Sequence, residues 1–261
     1  LEHPFLSFTH TVTPFIVRGT PCRCWILRTK SKSQAAARHL LVNRPGSGDD
    51  EIEFKIEQTT DGLDRMRSTY EEDFDGNKST RVLVIDGDKG WSKEGEMEVM
   101  EMEEEELADE KHGIYSQSMA LTLVPLKGKD PKFQTEAVGD EKVGDKPAAG
   151  VKVTPPVGKD FTIYFDKESG LPVKVVAVMS DPESIGQEFT QESYFSDFKD
   201  FGGIKQAKKI EMKRDGETFI KLELLDFKIL DKVEDKTFAK PAPKAKKKAP
   251  ARKAKKPPKG G

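Results

Sequence analysis

The chain has 261 residues, enough for one large domain or two small ones, and its 35% hydrophobic and 34% charged content describes a modest core under a wet surface. No run approaches the roughly 18 apolar residues of a membrane span. The net charge of −2 hides a segregation: residues 1–48 hold seven Lys/Arg and one acid, residues 240–261 hold ten Lys/Arg and no acid, and 27 basic against 45 acidic residues lie between.

Residues 1–48 mix Thr, Pro, Arg and Ser without a sustained period and read as a poorly structured or misassigned leader. The chain opens on Leu1 rather than Met, and "TVTPFIV" is too short for the apolar core of a signal peptide, so none is visible. Within this leader "SQAAARHLLV" (33–42) predicts a short helix. Cys22 and Cys24 are too close for a disulfide framework, and without a second Cys pair they do not make a zinc set.

From residue 50 the pattern changes to period two. In "EIEFKIEQT", Ile52, Phe54 and Ile56 alternate with charged residues, the signature of a half-buried antiparallel strand. "DRMRSTYEED", "STRVLVID", a strand opening on Trp91 and "MEVMEM" follow, separated by Gly/Asp/Asn turns. One helix is predicted, over roughly 103–123. Its acids crowd the N-terminal end, where the helix dipole favours them. Leu107, Ile114 and Leu121 form one stripe with Tyr115 and Met119 alongside, Gly113 weakens the middle, and Pro125 lies just past the end. Seven further strand-like segments run to about residue 230. The expected fold is mainly β, an antiparallel sheet of about ten strands with one inserted helix. The last 22 residues, rich in Lys, Pro and Ala, have no apolar face to bury and are expected to be disordered. The divisions are 1–48, 49–239 and 240–261.

Candidate chemistry is thin. "DFDGNKSTRVLV" places Asp73, Asp75 and Asn77 as a calcium loop would, but Lys78 stands where Gly is needed and Val84 where Glu is needed. "IDGDKGW" has no phosphate-loop spacing and reads as a hairpin turn. Of His3, His10, His39 and His112, only the last lies in the body; it reads as a solvated helix residue, and no nucleophile set can be assembled around it. The carboxylates of 101–110 read as a solvated helix start. No enzyme activity, metal or cofactor is expected. The basic tail permits attraction to an anionic polymer or membrane surface. It has no aromatics for base stacking, which argues against specific nucleic-acid binding.

Several motifs occur in a telling order. A strand runs into Asp86-Gly87 and Trp91 starts the next; an acidic helix follows. A later strand ends Asp166-x-x-Ser169-Gly170-Leu171-Pro172 and reverses, and "TFAKP" closes the body. Over about residues 50–240 this order resembles the outer-membrane lipoprotein-sorting family (LolA/LolB-like), closest to its environmental-bacterial branch. The resemblance implies an open antiparallel half-barrel lined by apolar side chains, with the helix as lid. It also implies a periplasmic or cell-envelope carrier or sensor that binds acyl chains of lipid or lipoprotein without chemistry. The lining expected from alternate strand positions is Phe54, Ile56, Val82, Val84, Trp91, Ile163, Phe165, Val173 and Val175, with Leu107, Ile114 and Met119 on the lid. A monomer is expected. Three features depart from the family pattern: its first helix and strand have no counterpart in the leader, Asp61-Gly62-Leu63 replaces the lid-latching Arg-Pro, and the Lys-rich tail is extra. A different class of function, a ligand-free envelope module docking to a protein or polyanion through that tail, is the alternative.

Overall fold

The computed structural model describes residues 15–17, 20–22, 35–45, 51–74, 77–122, 131–181, 184, 186–201 and 204–242. His3, His10, Cys24 and the tail beyond residue 242 lie outside the described residues. A short pair, β1 (Phe15–Val17) and β2 (Thr20–Cys22), stands apart from the main sheet.

The main sheet has 13 strands, more than the ten or so expected, and every neighbouring pair is antiparallel. One half is a meander running outward from the centre: β3 (Ala35–Pro45), β4 (Glu51–Asp61), β5 (Arg65–Phe74), β6 (Asn77–Asp86), β7 (Lys89–Glu94) and the two-residue β8 (Met100–Glu101). Helix α1 (Glu104–Thr122) follows. The other half starts at the opposite edge and meanders back: β9 (Gln134–Val143), β10 (Lys146–Thr154), β11 (Phe161–Asp166), β12 (Pro172–Ser180), β13 (Glu188–Phe201), β14 (Ile204–Arg214) and β15 (Glu217–Leu230). The halves join where β15 pairs with β3.

β3 corrects the sequence reading. Residues 33–42 were expected to be a helix, because three alanines in a row favour one. Instead Ala35–Pro45 is a central strand, tiled by β4 over its whole length and by β15 over most of it. Neighbours on both sides override local propensity. The sheet therefore starts ahead of residue 49.

The turns behave as read. Asp86–Lys89 closes the β6–β7 hairpin, with Gly87 at φ +62°. At the β11–β12 reversal, Asp166 Oδ1 accepts from the Glu168 and Ser169 amides at 3.0 and 2.6 Å and from the Ser169 hydroxyl at 2.8 Å. Burial alone would push this carboxyl up, but those donors hold it below the usual range. Both sheet edges are blunted: β8 is two residues long, and β9 carries exposed Glu136, Asp140 and Lys142.

One face of the sheet carries the main core. It gathers Leu83 and Ile85 from β6, Val151 and Val153 from β10, Ile163 and Phe165 from β11, and Ile114, Tyr115 and Met119 from α1. Strands from both halves thus close on the same helix. The opposite face holds a smaller cluster of Val84, Trp91 and Phe238, the last from the 3-10 turn Asp235–Phe238.

A candidate binding hollow beneath the helix

Period-two geometry places rows of side chains across the inner face. In one row, Phe227, Arg38, Gln58, Ser68 and Leu83 are successive cross-strand partners. The next row is Leu224, Leu40, Ile56 and Tyr70. From the other half come Val175, Ser193 and Met212 in a third row. Helix α1 does not seal this floor everywhere, and a cavity of about 190 Å³ remains. Its apolar wall includes Leu40, Ile56, Met66, Ile114, Phe195 and Ile210, and its polar wall includes Arg38, Gln58, Tyr70, Glu110, Gln117 and Gln206.

The polar wall is unevenly satisfied. Gln58 Nε2 donates to Ser68 Oγ at 3.2 Å, and Gln206 Nε2 donates to the Leu121 carbonyl at 3.0 Å. Arg38 is only 5% exposed. Its Nη1 donates to Gln58 Oε1 at 3.3 Å, and the guanidinium lies 5.7 Å from the centroid of the Phe227 ring. Its Nε has no hydrogen-bond partner among the described residues. Burial lowers the Arg38 pKa to about 10, which leaves it charged at neutral pH. Burial likewise pushes the Glu110 carboxyl up, opposed by Arg81.

Side-chain bonds tie the helix to the sheet and its turns. Lys111 Nζ donates to Asp88 Oδ1 at 3.1 Å, and Ser180 Oγ donates to Asp109 Oδ1 at 3.0 Å. Tyr115 bonds Asp64, and burial with that bond pushes its phenol up to about 12. His112 corrects the sequence reading: it is buried, not solvated. Its Nε2 pairs with the Val178 carbonyl at 3.0 Å, its ring packs on Gly158, and Nδ1 is without a partner among the described residues. From Lys111 to Ala120 the helix is buried on most sides, so it sits as a plug as much as a lid.

Of the expected lining, Ile56 and Ile114 line the hollow. Leu107, Met119, Ile163, Phe165 and Val175 lie in the core around it. Phe54 is half-buried one step along the inner face, opposite Val42. Val84 and Trp91 are a cross-strand pair on the outer face against Phe238, with Val82 beside them. Val173 is half-buried at the β11–β12 irregularity, outside the main core. Residues 82–85 are apolar on both faces, so alternation alone does not say which pair points inward. Leu83 and Ile85 do.

Sequence reasoning missed Arg38, Gln58 and Gln206. A signal existed in β4, where the inward series Phe54, Ile56 turns polar at Gln58 and Thr60.

No protein-family model and no curated protein matches the sequence. Among solved structures, the chain is similar to a LolA superfamily protein from Nitrosomonas europaea at 13% identity, with a TM-score of 0.55 over 82% of this chain and 92% of that one. It is also similar to a DUF1329 family protein from Desulfovibrio piger at 16% identity, with a TM-score of 0.50 over 80% and 90% of the two chains. The fold is therefore LolA-like: an open antiparallel sheet with a helix packed on its inner face. The order of turn motifs in the sequence pointed to the same fold.

Proposed function

We propose that this chain is a non-enzymatic carrier or sensor of the cell envelope that binds acyl chains between helix α1 and the inner face of the sheet. The observation that carries this reading is the hollow itself. About 190 Å³ of space beside Leu40, Ile56, Ile114 and Phe195 exceeds the ~150 Å³ of an apolar cavity that admits benzene. A longer chain needs more room, which displacement of α1 would supply. Each methylene moved from water to the hollow contributes about 0.8 kcal/mol, which competes with the helix for the same surface. The LolA-like fold supports this reading and the envelope location.

Native mass spectrometry of the full chain, purified without detergent, tests it. A bound lipid in stoichiometric amount is the expected result. A protein that arrives empty and also refuses added fatty acid and lipopeptide would sink the carrier reading.

A further inference from the structure

We propose that the Arg38–Gln58 row is the head-group end of the hollow, and that the ligand is a single-chain amphiphile with an anionic oxygen head, a carboxylate or a phosphate. This deepens the carrier reading and rests on it.

The argument begins with an imbalance. A guanidinium carries five N–H donors in a rigid fork suited to carboxylate and phosphate. That of Arg38 lies on the central strand β3, away from water, on the wall of the cavity. Among the described residues its Nη1 donates to a neutral amide, and Nε is unpartnered. Its pKa is lowered by burial. Buried charges are ordinarily paired. Glu110, the acid on the helix above, acts on Tyr70, and its own pKa, raised by burial, is lowered in part by Arg81.

The surroundings fit an amphiphile. Beside Arg38 in the next row stand Leu40 and Ile56, and beyond them Phe195 and Ile210 continue the apolar wall. An anion on Arg38 would thus have its chain laid along apolar surface. Gln58 is held by Ser68 on one side and Arg38 on the other, which fixes the direction of the fork. A neutral head would leave the buried positive charge uncompensated, so discrimination against it follows from the same geometry.

The experiment is isothermal titration of the full-length chain with dodecanoate, dodecyl phosphate and dodecanol, each below its aggregation concentration. The expected result is that at least one anion binds about tenfold or more tighter than the alcohol, equivalent to about 1.4 kcal/mol. Which anion wins separates a fatty acid from a phosphate-headed lipid. The Arg38→Met variant is expected to keep dodecanol and lose the preference, with circular dichroism confirming its fold. Equal binding of all three by the unaltered protein overturns the head-group proposal and leaves the carrier reading standing. Binding of none overturns both.

Discussion

The two faces of the sheet are built on opposite rules. On the outer face charge is matched. Lys174 is buried yet bonds Glu141 at 3.0 Å and Glu192 at 2.7 Å, between the rings of Tyr164 and Tyr194. Arg65 bonds Asp86 at 2.9 Å and Asp235 at 3.1 Å and covers the Phe238 ring at 4.5 Å. On the inner face Arg38 is charged, its Nε has no partner among the described residues, and space is left open beside it. A matched charge holds a fold together; a buried charge with a donor to spare can take up a ligand's. The outer face reads as stability, the inner as binding.

Substitutions can break that division. Phe238→Ala has the largest expected effect: it empties a fully buried site against Val84 and Trp91, so stability in urea should fall by about 3–5 kcal/mol. Binding of dodecanoate below the unfolding midpoint should be unchanged. Lys174→Met strands two carboxylates and should cost about 2 kcal/mol in the same assay. Arg38→Met should go the other way and stabilise by about 1 kcal/mol, because it removes a buried unpaired charge. A loss of stability there would show Arg38 to be part of the frame.

His112 sharpens the division by pH. Burial depresses its pKa below the ordinary 6.5, with the Val178 bond and Asp109 opposing and Lys159 adding to the fall. The fold therefore favours the neutral ring. The stability this residue contributes is intact above pH 6.5 and is lost as pH falls from there toward the depressed value. Urea midpoints measured from pH 7.5 to 5.0 should decline, and less so in His112→Gln. The smallest effect belongs to Lys152→Ala, which breaks exposed pairs to Glu136 and Asp160 and should leave the melting temperature unmoved.

The outline of the fold was legible because half-buried strands announce themselves. Ile52, Phe54 and Ile56 alternate with charge, and the DG and ESG turns mark reversals. The helix was legible from its acids and its Leu107–Ile114 spacing. β3 was not, since "AAARHLL" has no local strand signal and becomes a strand through its neighbours. Val82, Val84 and Trp91 were assigned to the hollow because nothing local reveals that Phe238, some 150 residues away in sequence, covers the other face. Arg38 escaped for the same reason: its burial is made by β4, β15 and α1 together.

The pairing of β3 with β15 has a consequence for folding. Each half of the sheet is a run of local hairpins and can zip from nearby contacts. The seam joins Ala35–Asn43 to Lys221–Leu230, and non-local pairing of that kind is the slow step of a β fold. Arg38 and Phe227 meet across that seam. The head-group end is therefore completed last, and neither half of the chain alone contains it, so anion binding doubles as a report that the whole sheet has closed.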